Sequence, residues 1–281
     1  MGFDQHLSSG FGKIEMDLKL KGLKVLVTGS SKGLGAEIVR AFLSEGAFVT
    51  MCARSEKAMG KAASLFGSHN RRLYYCMVDA TVESSVKECI QNSVEQMGGL
   101  DILVNNVGGA TKFAGFFDLN SDDWSGHFQL NVMSMVYFSR EAYPHLKKSK
   151  EPKIINISSL TGLQPGIFSP HYSVCKAATI NLSKHLANIF AEDNILVNCV
   201  APGPFESDSW NKNIQRVSHD LNISIDEAQK RETGSAARSI PLNRIGTPGD
   251  IAPFILFLSS CVSKWTTGTC FVIDGGKMKS I

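Results

Sequence analysis

Lys24-Val25-Leu26-Val27-Thr28-Gly29-Ser30-Ser31-Lys32-Gly33-Leu34-Gly35 is the stretch that decides the fold. A five-residue β-rich run with Val25, Leu26 and Val27 at its centre stops at Gly29, and glycines return at 33 and 35, where a helical stretch opens. A buried strand, a tight turn and a helix in direct succession start a strand-helix-strand unit. The turn needs glycine because a Cβ would hold the backbone away from a bound pyrophosphate, whose charge then rests at the helix N-terminus. Ordinary surface turns use the same residues, so the context carries the argument: strand before, helix after.

Outward from this unit, apolar runs at Phe48 to Cys52, Leu73 to Val78, Ile102 to Asn105, Ile154 to Ser158, Leu196 to Val200 and Cys270 to Ile273 alternate with helical stretches. Runs this continuous belong to parallel strands covered on both faces, and the helices between them imply right-handed crossovers in a doubly wound α/β sheet. No repeat or linker divides the chain, so one domain over 19–281 is expected, preceded by a flexible extension over 1–18. Between Pro202 and Pro241 the alternation is interrupted. Trp210, Ile214, Val217 and Leu221 recur at helical spacing, and Ser224-Ile225-Asp226-Glu227 is a capping-box start for a second short helix. This segment, about 204–240, is too long for a plain connection; it is either a lid or an insertion packed on the surface.

The 281 residues are 43% hydrophobic and 20% charged, an ordinary globular composition. The net charge of +3 is spread without a single-sign block, which argues against a nucleic-acid partner. The longest apolar run, near Ile251 to Leu258, contains Pro253 and is too short for a membrane span. Seven cysteines form no CxxC or Cys/His metal pattern and fit reduced thiols in a cytoplasmic protein, so no metal is expected. Residues 1–15 carry no secretory signal pattern.

Chemistry enters at Tyr172-Ser173-Val174-Cys175-Lys176, thirteen residues after Ser159. Residues four apart share a helix face, so the Lys176 ammonium can favour the phenolate of Tyr172. With an ordinary pKa of about 10, a tyrosine needs such help to act as a base near neutrality.

These residues resemble the short-chain dehydrogenase/reductase family, from about Lys19 to Gly276. The likeness rests on the turn Thr28-Gly29 to Gly35, Asn105-Asn106-Val107-Gly108, Ser159 with Tyr172 and Lys176, Pro202-Gly203, Thr267-Gly268, and Asp274-Gly275-Gly276. It implies a single-domain Rossmann-type fold whose seven-stranded parallel sheet has the order 3-2-1-4-5-6-7. It also implies an NAD(P)-dependent oxidoreductase interconverting a secondary alcohol and a ketone on a small molecule. The implied catalytic set is Asn131, Ser159, Tyr172 and Lys176, with Asn131 in a locally bent helix. Implied cofactor contacts are Gly29, Ser31, Lys32, Gly33, Leu34, Gly35, Arg54, Asp79, Ala80, Asn106, Val107, Gly108, Tyr172, Lys176, Pro202 and Gly203. The segment 204–240 would close over substrate, and the helices near Asp122 to Leu146 and Pro170 to Ala191 would pair in a homodimer or homotetramer. Two departures stand out: Val107 replaces the usual alanine, and Phe205-Glu206-Ser207 replaces an aliphatic residue and threonine.

The second strand ends in Ala53-Arg54 where an acidic residue would bind a free ribose 2′-hydroxyl. With Lys32 in the turn, two cations can meet a 2′-phosphate, so the expected cofactor is NADP(H) rather than NAD(H). Phe113, Phe116, Phe117, Leu163, Phe168, Phe205 and Trp210 suggest an apolar or cyclic substrate, with His171, Phe205 and Trp210 as candidate contacts. A half-exposed His171 at a helix start is the plainer reading of that residue. The lysines at 147, 148, 150 and 153 read as a solvated helix end, or as a dock for an acyl carrier protein. Two other functions remain open: a 3-oxoacyl thioester (acyl-carrier-protein) reductase, and a non-catalytic dinucleotide-sensing regulator.

Overall fold

The computed structural model describes residues 17–66 and 70–280. All but the last two residues of the expected N-terminal extension lie outside the described residues. Strands β1 (Lys24–Thr28), β2 (Phe48–Ala53), β3 (Leu73–Met77), β4 (Ile102–Asn105), β5 (Lys153–Ile157), β6 (Leu196–Pro202) and β7 (Cys270–Ile273) form one parallel sheet in the order β3-β2-β1-β4-β5-β6-β7. The helices are α1 (Gly33–Ser44), α2 (Glu56–Leu65), α3 (Glu83–Met97), α4 (Ser121–Phe128), α5 (Ser134–Leu146), α6 (Pro170–Phe190), α7 (Asp208–Leu221), α8 (Ile225–Arg238) and α9 (Pro248–Ser259).

Strand residues point alternately to the two faces. Val25 and Val27 therefore join Ile38, Phe42, Ile251 and Ile255 of α1 and α9 in one core, whereas Leu26 and Leu103 join Ile90, Phe138 and Leu146 of α3 and α5 in the other. Burial on both sides is why the strands read as unbroken apolar runs. The chain reverses its direction of travel across the sheet between β1 and β4, and the crevice at the carboxyl ends of these strands is where such sheets take ligands.

Three local features differ from the sequence expectation or refine it. The long helix from 121 to 146 contains a π-helical turn, Gln129–Met133, which inserts an extra residue where a bend was expected. Strand β5 begins one residue early, at Lys153. That side chain is 2% exposed with its ammonium on Glu151 Oε2 at 3.2 Å, so it does not belong to the solvated basic cluster. The interruption after β6 is a pair of helices, α7 and α8, and α8 starts with the reciprocal cap in which Ser224 and Glu227 bond each other's backbone. The stripe Trp210, Ile214 and Val217 packs on Ile223 and Ala228, so its apolar face is consumed between the two helices.

Candidate active site

The end of β1 and the end of β4 are stitched together. Thr28 Oγ1 accepts from the backbone N–H of Asn106 (2.9 Å) and of Val107 (3.0 Å), and Asn106 Nδ2 donates to the carbonyls of Thr28 (3.0 Å) and Gly29 (3.1 Å). The turn then folds against α1 so tightly that a Cβ on Gly35 would lie 2.5 Å from Gly29 O and 2.6 Å from Asn106 Nδ2. No side chain caps α1, and its first turn holds no acidic residue. Its N-terminal amides and positive dipole end therefore suit a phosphate anion. Thr28 opens the glycine-rich motif in the sequence but was not among the expected site residues; its bracing of β4 depends on a contact 78 residues away along the chain.

Every residue expected at the cofactor, from Gly29 to Gly203, lines a single cleft of about 400 Å³. Asp79 follows β3, the edge strand of the sheet. Its carboxylate accepts from Thr81 N (2.9 Å) and Thr81 Oγ1 (2.7 Å), which together with the nearby Arg54 guanidinium hold it below the usual carboxylate range. Lys32 does not stand free beside Arg54. Its ammonium pairs with Asp208 Oδ1 at 2.8 Å, tying the glycine-rich turn to the first residue of α7, and Lys212 approaches the other Asp208 oxygen at 3.4 Å.

At the end of β5 the two adjacent serines take different surroundings. Ser158 is buried and donates to Lys176 O at 2.8 Å, fastening β5 to α6. Ser159 lines the cleft with Tyr172 and accepts from Thr161 N (3.3 Å) and Thr161 Oγ1 (3.1 Å). Lys176 Nζ donates to Ile157 O at 3.0 Å and lies 5.6 Å from the Tyr172 ring centre. Burial pushes the Tyr172 phenol up to about 12, with the Ser159 hydroxyl pulling the other way. Burial also pulls the Lys176 ammonium down to about 8. In this structure desolvation, which penalises the charged form, is the largest influence on each of the two groups, and it moves Tyr172 in the direction opposite to the one a nearby Lys176 charge would favour.

Asn131 sits behind the cleft in the π-helical turn, 1% exposed. Its Oδ1 accepts from Gly109 N (2.9 Å) and its Nδ2 donates to Gly109 O (3.3 Å) and His127 O (3.1 Å). A Cβ on Gly108 would fall 2.6 Å from Asn131 Oδ1 and 3.0 Å from Lys176 Nζ, so the glycine lets these two side chains meet the backbone.

The substrate expectations fare unevenly. Phe205 lines the cleft. Trp210 is taken up by the α7–α8 contact and does not line it. His171 is neither half-exposed nor in the cleft: it is fully buried, its ring packed at a tilt with its centre 3.7 Å from that of His127. Phe113, Phe116, Phe117, Leu163 and Phe168 are exposed and also lie outside the cleft lining. The cleft lining instead includes Thr111, Ser207 and Ser209. Among the described residues no group of His, Cys, Asp and Glu is arranged to hold a metal ion, and no helix is long and apolar enough to cross a membrane.

Residues 23–217 match the family model described as short chain dehydrogenase. The 3-oxoacyl-[acyl-carrier-protein] reductase FabG of Chlamydia pneumoniae is 33% identical over 261 residues, covering 93% of this chain and 99% of the relative. Oxidoreductase UcpA of Salmonella typhimurium is 32% identical over 261 residues, covering 92% and 95%. Among solved structures, L-sorbose reductase from Gluconobacter frateurii, complexed with NADPH and L-sorbose, has a TM-score of 0.88 at 29% identity and covers 95% of this chain and 100% of that one. An NADPH-bound short chain oxidoreductase from Pseudomonas aeruginosa PAO1, with an atypical catalytic center, has a TM-score of 0.84 at 29% identity, covering 93% and 99%. Matched by the family model over most of its length and by relatives over nearly all of theirs, this chain belongs to the short chain dehydrogenase family of oxidoreductases.

Proposed function

We propose that the protein is an NADP(H)-dependent oxidoreductase that interconverts a secondary alcohol and a small ketone. The observation that carries this reading is the meeting of Ser159, Tyr172 and Lys176 at one wall of the cleft that the glycine-rich turn opens. The turn and the N-terminus of α1 would hold the pyrophosphate, Arg54 the ribose 2′-phosphate, and Lys176 the nicotinamide ribose. When bound, NADPH supplies the hydride. Ser159 donates a hydrogen bond to the substrate carbonyl oxygen, and Tyr172 delivers the proton from its Oη to that oxygen, or removes one from an alcohol in the reverse direction. Lys176 holds positive charge beside the hydroxyl that exchanges the proton, and Asn131 holds Gly109 and the helix bend behind it.

The NADPH complexes of the two similar structures support the cofactor choice, as does Arg54 at the cleft. Losing one charged, forked contact to a phosphate amounts to about 1.5–3 kcal/mol. Arg54→Ala is therefore expected to lower kcat/KM for NADPH by about 10- to 100-fold while leaving NADH within about threefold. A higher kcat/KM with NADH in the wild type, unchanged by this substitution, would reverse the assignment.

The hydroxyl-bearing walls favour a hydroxylated ketone over the apolar or cyclic one that the aromatic residues suggested. The identity to a 3-oxoacyl-[acyl-carrier-protein] reductase keeps a second reading, reduction of a 3-oxoacyl thioester. NADPH consumption measured with a ketose, a cyclic ketone and an acetoacetyl thioester separates the three substrate classes. Tight NADPH binding with no turnover across a broad carbonyl panel would instead favour the dinucleotide-sensing regulator, against which the intact Tyr172 and Lys176 argue. A homodimer or homotetramer remains our proposal for the assembly, through the apolar depression formed by Val136, Tyr143, Leu182, Leu186 and Phe190 of α5 and α6.

A further inference from the structure

The segment Gly109, Ala110 and Thr111 lines the same cleft as Tyr172. Two side chains one helical turn apart hold it. Asn131 takes Gly109, as described above. His127, four residues earlier, takes Thr111: its Nε2 lies 3.1 Å from Thr111 N and 3.1 Å from Thr111 Oγ1, while its Nδ1 lies 2.9 Å from Asp123 O. A carbonyl only accepts, so Nδ1 carries the hydrogen and Nε2 offers a lone pair to the Thr111 N–H. The neutral ring is thus required by its own partners.

Against the His127 ring lies His171, fully buried, with neither ring nitrogen hydrogen-bonded to a protein group. Buried polar atoms are nearly always paired, so an orphaned imidazole immediately before Tyr172 calls for an explanation. The charged groups that face it are His127 and Asp123 from α4 and Lys112 from the preceding loop. Asp123 Oδ2 takes Lys112 at 2.6 Å and Asn120 N at 3.0 Å, and neither His171 nitrogen hydrogen-bonds the carboxylate.

We infer that His127 is a positioning residue that fixes the wall on which a substrate carbonyl meets Tyr172, and that the His171 ring packed on it makes this wall sensitive to acid. The role rests on the reductase reading; the geometry does not. Protonating His171 would place a cation against that ring with no acceptor. Burial and the neighbouring His127 hold His171 below its ordinary value of 6.5. The sign follows: above that value the neutral ring is favoured in folded and unfolded chains alike, and as pH falls below it the unfolded chain takes up the proton first, so the wall loses stability toward acid.

The test has an arm that needs no turnover. In His127→Leu the Thr111 amide should exchange with solvent at least about tenfold faster, and in His127→Gln, whose amide oxygen can accept the same hydrogen, protection should return. In turnover, His127→Leu should raise the KM for the carbonyl substrate about tenfold, with kcat within threefold and the NADPH Kd within twofold; His127→Gln should restore KM. Unchanged Thr111 exchange in the leucine variant would overturn the inference, and so would a KM rise that glutamine fails to rescue. His171→Phe, a ring that takes no proton, should move the acid limb of the wild-type KM profile to lower pH; an identical limb would remove His171 from the proposal. If the leucine variant does not fold, wild-type Thr111 protection is read between pH 7 and 5 after correction for intrinsic exchange: a fall of about tenfold is expected, and constancy overturns it. Failure of the wild type to consume NADPH with any carbonyl would sink the reductase reading alone, because the exchange measurements still decide whether His127 holds the wall.

Discussion

Tyr172→Phe is expected to lower kcat for carbonyl reduction by about a thousandfold, with the NADPH Kd within twofold of the wild type. The substitution keeps the ring that packs beside Lys176 and removes only the hydroxyl, on the wall that Ser159 shares. General acid catalysis by a placed group is worth about 10²- to 10⁴-fold, and nothing else at this wall of the cleft offers a proton at the right place: Ser159 is a far weaker acid, and Lys176 Nζ is directed to Ile157 O. The tyrosine pushed up to about 12 is almost wholly protonated at pH 7. Reduction, which consumes the phenol's proton, should therefore change little between pH 6 and 8. Alcohol oxidation needs the phenolate and should rise across the same range. Single-turnover rates in both directions check this, and a phenylalanine variant retaining more than about a tenth of wild-type kcat would take Tyr172 out of proton transfer.

Much of this arrangement was legible in the sequence for identifiable reasons. Strands buried on both faces leave unbroken apolar runs, and the glycine-rich turn must place small residues where backbone approaches backbone, as at Gly35. Tyr172 and Lys176 are fixed on one helix, so their spacing alone brings them together. What the sequence hid depends on partners far away along the chain. Helical spacing showed that Trp210 belongs to an apolar stripe but not that α8 would cover it. Lys32 looked like a free cation because Asp208 is 176 residues downstream. His171 looked half-exposed because its burial comes from α4. The direction of the Tyr172 shift was hidden for the same reason: a sequence names the nearby charge, whereas desolvation is set by everything packed around it.

Lys176→Met should abolish reduction and yet leave the cofactor-free protein more stable at pH 7. Lys176 is 3% exposed and burial draws its ammonium from 10.5 down to about 8. At about 1.4 kcal/mol per unit, holding that charge inside the fold at pH 7 costs about 3 kcal/mol. Methionine has similar length and no charge, but it forfeits the hydrogen bond to Ile157 O, a loss of about 1–3 kcal/mol for a buried acceptor. The balance favours the variant by about 1 kcal/mol, or a Tm higher by about 2–4 °C. The folded wild type binds fewer protons than the unfolded chain between the two values, so its disadvantage shrinks as pH rises from about 8 and vanishes above 10.5. The Tm difference should close and then change sign over that interval, because the bond to Ile157 O that methionine lacks outlasts the charge penalty, and this separates a charge effect from better packing. Turnover should fall about a thousandfold or more, since both the charge beside Tyr172 and the proposed contact with the nicotinamide ribose are lost. A methionine variant that melts lower than wild type at pH 7 would mean that Lys176 is held by compensating contacts, and that the site was not built at the expense of stability.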